Sequence, residues 1–591
     1  MQLSVQQLLL SARKHAKNGQ IAEAKKQYLS VLMKFPNNKP AQLGLAALNA
    51  LHEPRTAASA QDQIKAVVEL YNQGRLHEVI ERGNALLKQY PQTPFLHNLL
   101  GVAYIKQGQI DPATQCFNRA LQIDPKSVQA YNNLGGALKQ SGNLSAAIKC
   151  YQKALNIEPD NAALHNNLAI ALNGNGEIEA AEQSFQHALQ IDPNDLKFIT
   201  SLCDFYEKTN NLAGLSRTLV EAKSSPTASN ANILYYAALL EFREKNFEQA
   251  KILIAQITPD NLIQKRVIAF YELKGKTCDK IGLFDDAYSA FSMMNTKAKQ
   301  SSDYIQADPD AYFANITSAL QELKDAPALP HVADNTDTTQ NTPCFLVGFP
   351  RSGTTLLDTI LRSHTNIVVA EEQPMVAAIR NELDSFFNLE DIESIDPKRA
   401  SYLQAQYYAE LDKHIENRTS NQVCIDKLPL NAIETPLIHS VFPHSKFILA
   451  IRHPYDCILS CYMQYFKLNP QMANMVDLER IIDFYCAVME TWWLSQKRYD
   501  LIFHMIRYED LVVDMPNEIE KLLQFLGLEW QESLNEYQKT AIERGKINTP
   551  SYSQVVQPLY KDATYRWKNY LTYFSAYNGR VQPWIERFGY E

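Results

Sequence analysis

The stretch CFLVGFPRSGTTLLDTILRSH, residues 344–364, decides how the second half of this chain folds. Its apolar start, Cys344–Val347, reads as a strand buried in a parallel sheet, and Thr355–Arg362 reads as an amphipathic helix. Between them lies GFPRSGTT, a strand–loop–helix junction of the kind that wraps a phosphate in backbone N–H groups. Gly348 and Gly353 keep the P-loop spacing, but Thr354 and Thr355 follow where a nucleoside triphosphatase carries Lys and then Ser or Thr. Losing that lysine removes the usual contact to β- and γ-phosphates. Arg351 instead places a charged fork inside the loop. The pattern points away from ATP and toward an adenylyl donor with a short 5′ group.

A second element follows in FPHSKFILAIRHPYDCILSCYMQYF, residues 442–466. Lys446–Ile451 reads as a central strand with Arg452 at its C-terminal end, and Asp456–Phe466 as a helix bearing Ser460. Ligands of open α/β sheets bind at the carboxyl ends of strands, so this arginine and hydroxyl suit a second phosphate. Taken alone, Arg452 reads equally well as a structural ion-pair partner.

Two further segments carry candidate chemistry. IVVAEEQPMV, residues 367–376, is a strand running into a loop that brings Glu371 and Glu372 toward the phosphate loop. A partly desolvated carboxylate there can accept a hydroxyl proton. VCIDKLPLNAIETPLIHSVFP places Lys427 after a short strand and before a helix that Pro429 can start.

PRSGTTLLDTILRSH resembles the 5′-phosphosulfate loop of the sulfotransferases, specifically of their protein-tyrosine branch, and ordered motifs extend the resemblance over about 344–570. The resemblance implies 3′-phosphoadenosine 5′-phosphosulfate (PAPS) as sulfate donor and no metal. Arg351, Ser352, Gly353, Thr354 and Thr355 would hold its 5′ side, and Arg452 with Ser460 its 3′-phosphate. Tyr508 matches a further donor contact, Arg566 stands where the family has a lysine before Trp567, and Ser553 to Val556 would cover the nucleotide. Glu372 aligns with the family's base, Lys427 with the donor to the bridging oxygen, and Ser551 with the serine assisting the leaving phosphate. Small-molecule sulfotransferases use histidine as base; His364 is the local candidate, but it closes the first helix and reads as a packing residue. The sequence departs from the branch at Gln464, where an arginine is usual, so one cationic contact is lost. A protein tyrosine is the acceptor this resemblance favours. A glycan or lipid hydroxyl, and a repeat scaffold whose nucleotide fold does not turn over, are the alternatives.

The first half is periodic. Pro91, Pro125, Pro159 and Pro193 recur every 34 residues, each 17 residues after Gly74, Gly108, Gly142 and Gly176; Gly19 and Pro36 keep the same offset. Gly101, Gly135 and Ala169 share a small-residue position, and Phe117, Tyr151 and Phe185 a bulky one. Small residues let two helices approach, and the aromatic fills the groove they leave. LGVAYIKQGQIDPATQCFNRALQIDP, residues 100–125, resembles the tetratricopeptide repeat (TPR). We therefore expect an α-helical TPR superhelix of about seven to eight repeats over 1–300, and a helix near Ala311–Leu323 with a Pro/Thr/Asn/Asp-rich linker over 301–342. An α/β P-loop-type sulfotransferase domain with a central parallel sheet should fill 343–591. Asn98, Asn132, Asn133, Asn166 and Asn167 on the inner helices suit hydrogen bonding to a protein or peptide in the repeat groove.

Composition sets the bounds. Over 591 residues, 46% hydrophobic and 21% charged, a net charge of −8 disfavours nucleic-acid or membrane-surface binding while leaving room for a local basic pocket. The nine cysteines form no CxxC pair and no zinc-spaced Cys/His cluster, so they read as reduced and structural. The opening residues lack a signal-peptide pattern and no apolar run of about 18 residues occurs, so no membrane span is expected and the expected location is cytoplasmic. The Asn-x-Ser/Thr triplets at Asn143, Asn315 and Asn417 would then carry no glycan.

Overall fold

Each proline-to-proline interval folds as one helical hairpin. The pairs Pro94–Lys106 with Ile110–Ile123, Val128–Gln140 with Leu144–Ile157, and Ala162–Gly174 with Ile178–Ile191 follow the sequence period. Gly108 and Gly142 end the first helix of their pairs at φ of 75° and 84°, a left-handed turn that costs a side-chain-bearing residue energy. The small positions are steric: a Cβ on Gly135 would lie 2.7 Å from the Tyr151 ring, and one on Gly101 would collide with Phe117. In the computed structural model, residues 5–18, 20–35, 38–50, 55–223, 227–329, 342–383, 387–415, 418–419, 421–543 and 564–590 are described. Gly19, Pro36 and Asn417 lie outside them.

The inner-helix asparagines correct one expectation. Four of the five are paired with one another: the Asn133 side-chain amide donates to Asn98 (3.0 Å) and that of Asn167 to Asn132 (2.9 Å), tying successive hairpins together at a spacing of 35 residues. Asn166 is fully buried, and neither its side-chain oxygen nor its nitrogen has a hydrogen-bond partner among the described residues.

The chain divides into two compact units, one ending at Thr227 and one starting at Ala228. The second therefore takes in two hairpins that no longer keep the 34-residue glycine–proline spacing and are degenerate as repeats, Ala231–Arg243 with Phe247–Ala255 and Gln264–Lys280 with Phe284–Lys299, then the helices Ser302–Ala307 and Pro309–Asp325. The last is longer than the Ala311–Leu323 piece expected, because Asp308 caps it through the Ala311 N–H (3.2 Å) and Pro309 starts it.

Five parallel strands follow: β1 (Cys344–Gly348), β2 (Ile367–Glu371), β3 (Val423–Lys427), β4 (Lys446–Ile451) and β5 (Ile502–Arg507), in the order β2-β3-β1-β4-β5. The near-continuous apolar strands alternate onto two cores. Phe345, Val347, Phe447 and Leu449 pack with the long helix Leu478–Arg498, and with Phe291, Met294, Ile316 and Leu320 from the helices before the sheet. Leu346, Val369, Ile425 and Ile448 pack on the other face against Thr354–Leu361 and Met515–Leu526. At roughly 1.5–3 kcal/mol for each large apolar side chain buried, the upstream helices belong energetically to the sheet's own core. The connections leave β1 and β4 in opposite directions, so a crevice opens between their carboxyl ends. Among the described residues no helix is long and apolar enough to cross a membrane.

Candidate active site

The crevice collects the phosphate-loop residues. β1 ends at Gly348 directly beside Ala450 of β4, where a Cβ would collide with the Ala450 carbonyl oxygen. The chain then turns through Arg351 at φ 71° and Gly353 at φ 98° into the helix Thr354–Leu361. Glycine is required at 353 because a Cβ would lie 2.6 Å from the Tyr508 ring. Arg351 has no such excuse, and a left-handed residue with a side chain costs roughly 1–2 kcal/mol. The conformation directs its guanidinium onto Ser460, to which Nε donates at 3.0 Å.

Arg452, at the end of β4, donates to the Arg351 carbonyl (3.3 Å), sits over the Tyr508 ring at 5.0 Å, and lies 4.0 Å from Asp456. Two arginines, one hydroxyl and one aromatic ring thus converge from four segments. Ser352 is buried and its hydroxyl has no partner among the described residues. A buried orphan hydroxyl in a loop that also carries Arg351, at the start of a helix whose first N–H groups have no intrahelical acceptor, is a site built for a small polyanion. The residues present therefore fit a donor with anionic groups at both ends of an adenosine. Thr354 and Thr355 are buried in the first turn of that helix, and the Thr355 carbonyl accepts from the Thr359 hydroxyl (2.7 Å).

The helix after β4 spans Pro454–Tyr462, shorter at its C-terminus than the expected Asp456–Phe466. It stops because Glu272 of the helix Gln264–Lys280 captures the Tyr465 N–H (3.3 Å) and the Gln464 side chain (2.9 Å). Cys461 on this helix donates its thiol to the Pro350 carbonyl (3.4 Å), so it braces the phosphate loop. Burial pushes that thiol up to about 12, which keeps it protonated.

A charge cluster lies one strand over. Lys427 ends β3, is wholly buried, and donates to Glu372 (2.8 Å) and Glu371 (3.2 Å). Glu371 is itself buried at the end of β2, whereas the Glu372 side chain is 40% exposed and so can reach an acceptor. Glu372 takes φ 53°, and its N–H donates to the Lys427 carbonyl (2.8 Å), which fixes the bend that turns it toward the cleft. Asp358, on the helix after the loop, is fully buried; burial raises its carboxyl, while Arg362 and Lys427 oppose that shift.

His364 is no base here. One ring nitrogen donates to the Glu529 carbonyl (2.9 Å) and the other accepts the Asn366 N–H (3.1 Å), so both are committed. Arg566 is not among the converging residues. Asp279 holds its guanidinium (2.6 and 3.1 Å) and also accepts from the Tyr570 hydroxyl (2.7 Å). Ser551 and the stretch Ser553 to Val556 lie outside the described residues. Sequence reasoning did not single out Asp456, which accepts the Tyr565 and Trp567 N–H groups (2.7 and 3.0 Å) and docks that segment on the site. Nor did it single out His453, stacked on Trp567 at 4.8 Å. Burial, with Lys568, Arg452 and Arg507 nearby, pushes this imidazole down to about 4 and keeps it neutral.

Residues 343–532 match the family model described as "Sulfotransferase family", and 101–142, 136–176 and 162–195 match tetratricopeptide repeat models. The chain joins tetratricopeptide repeats to a sulfotransferase domain. An uncharacterized protein of Aquifex aeolicus is 31% identical over 246 residues, which cover 39% of this chain and 31% of that protein. This chain therefore aligns with less than a third of that relative's length. Protein-tyrosine sulfotransferase 2 of Gallus gallus is 24% identical over 42% of this chain and 69% of its own length, and protein-tyrosine sulfotransferase 1 of Danio rerio 25% over 42% and 72%. Among solved structures, a tetratricopeptide repeat protein from Parabacteroides merdae is 15% identical, covering 46% of this chain and 98% of that one, with a TM-score of 0.30. The sulfotransferase domain holds all the converging side chains described above, from Arg351 to Tyr508.

Proposed function

We propose that this protein transfers a sulfuryl group from PAPS to an acceptor hydroxyl, with a protein tyrosine as acceptor and a protein partner bound by the repeats. The observation that carries the reading is the pairing of Glu372 with Lys427, beside a loop whose Arg351 is locked to Ser460. Bound in that crevice, the donor supplies an activated sulfuryl group and leaves as 3′,5′-diphosphoadenosine. Arg351, Ser352 and the first turn of Thr354–Leu361 would hold the 5′ anion, and Arg452 with Ser460 the 3′-phosphate.

Glu372 accepts the acceptor's hydroxyl proton at its carboxylate. Lys427 holds that carboxylate in place through a 2.8 Å hydrogen bond, and its ammonium offers positive charge where the leaving phosphate gathers electrons. Glu371 gives the buried Lys427 ammonium a second carboxylate partner beside Glu372. Relatives named protein-tyrosine sulfotransferases support the acceptor class. A cytoplasmic location is part of the same proposal. Incubating the full chain with radiolabelled PAPS and a cell extract tests it. Label recovered as tyrosine O-sulfate supports the reading, label on a glycan or lipid replaces the acceptor, and no label with any acceptor rejects the activity.

A further inference from the structure

The helix Gln264–Lys280 belongs to the degenerate end of the helical region, yet one of its faces reaches two segments that build the donor crevice. Glu272, Lys276 and Asp279 are spaced by four and three residues and therefore share that face. Glu272 takes the Gln464 amide and the Tyr465 N–H, four and five residues beyond Ser460, and is itself paired with Lys276 (2.8 Å). Asp279 is nearly buried and grips Arg566 through two nitrogens while accepting from Tyr570, whose ring is fully buried. The segment it grips is also held by Asp456, on the same helix as Ser460, through the Tyr565 and Trp567 N–H groups. Ser460 is therefore bracketed: its helix exit is fastened by Glu272, and the strand of chain docked on its first turn is fastened by Asp279.

We propose that Glu272 and Asp279 are positioning residues of the donor pocket, so that this helix is a working part of the sulfotransferase rather than a spacer. Arg566 then acts as a latch for its segment and not as a phosphate ligand. The inference rests on the donor reading above. Its physical basis is that a bidentate arginine–carboxylate pair with its carboxylate nearly buried fixes orientation as well as distance, and that its loss frees both segments to drift.

The test uses the full chain, calorimetric titration with 3′,5′-diphosphoadenosine, donor KM and kcat, and tryptophan-fluorescence melting. Asp279→Asn should weaken diphosphoadenosine binding about tenfold, which corresponds to about 1.4 kcal/mol. Donor KM should rise by the same factor while kcat changes less than twofold. Asp279→Glu should recover most of the loss, and Arg566→Met combined with Asp279→Asn should be no weaker than the worse single variant. Glu272→Gln, on a less buried side chain, serves where Asp279→Asn fails to fold and should weaken binding severalfold. Binding within twofold of the parent in a folded Asp279→Asn or Glu272→Gln would overturn the proposal, as would losses confined to kcat. A parent chain that binds no diphosphoadenosine would overturn the donor reading itself, and this inference with it.

Discussion

Lys427 is the most exposed point of the account to experiment, although it is wholly buried in the molecule. Lys427→Met keeps the length of the side chain and removes its charge. Glu372 can turn to water, being 40% exposed, but Glu371 is 5% exposed and would be left as a buried anion without its ammonium. Removing one partner of a buried pair costs about 3–5 kcal/mol, and the solvated half of this triad places the variant near the lower end, about 3 kcal/mol. A carboxylate so stranded has its folded-state pKa raised above the unfolded value, so the penalty grows as pH climbs through that interval and fades as pH falls below it. All five tryptophans lie at or after Trp492, within the second unit, so their fluorescence follows that unit without interference from the repeats. The midpoint at pH 8 should drop by roughly 5–10 °C and recover toward the parent at pH 5. Adding Glu371→Gln should restore much of the loss at pH 8. A deficit under about 1 kcal/mol, or one equal at pH 5 and pH 8, would refute the claim that Lys427 neutralises a buried carboxylate.

The other predictions are as follows. Glu372→Gln should leave diphosphoadenosine affinity within about twofold but lower kcat by about 10²–10⁴, the range of a general base; steady-state kinetics beside calorimetry separates the two. Arg351→Met and Ser460→Ala should each weaken diphosphoadenosine, with the arginine the larger loss, and the double variant should fall short of additivity because the two side chains are bonded. Asp426 is fully buried behind Lys427, accepts from the Tyr407 hydroxyl (2.9 Å), and is pushed by burial up to about 7. A raised carboxyl contributes most below its unfolded value and loses that contribution as pH rises toward 7. The interval from 3.8 to about 7 corresponds to about 4 kcal/mol, so Asp426→Asn should gain stability over the parent between pH 5 and pH 8, and an unchanged difference across that range would contradict the assignment.

Four of the five strands were legible, β1 and β4 because a strand buried on both faces of a parallel sheet is largely apolar, whereas the half-exposed β5 was not read. Lys446–Ile451 folds over the residues the sequence indicates, and Cys344–Val347 is extended only by Gly348. The repeat was legible because glycine at a left-handed turn and a small residue under an aromatic ring recur at fixed intervals. Arg351 and Ser460 were reachable from motif spacing, since each sits at a fixed distance from a strand end, whereas Glu372 was set apart from Glu371 by the family resemblance. What spacing could not give is partnership across the chain. Asp279 meets Arg566 across 287 residues, and Glu272 meets Gln464 across 192, so no local pattern marks them. Asp358 gave a faint signal as a charge inside the apolar run LLDTIL, and its burial explains why Arg362 follows one turn later. Four of the asparagines misled for the opposite reason: polarity on an inner helix reads as a groove, whereas Asn98 with Asn133 and Asn132 with Asn167 pair across 35 residues.

The central claim is that one crevice holds an adenosine charged at both its 5′ and 3′ ends. Calorimetric titration of the full chain with 3′,5′-diphosphoadenosine and, separately, with ATP addresses it directly. Saturable uptake of the diphosphoadenosine, abolished by Arg452→Met, with none of ATP, is the result expected. Uptake of ATP without diphosphoadenosine would contradict it.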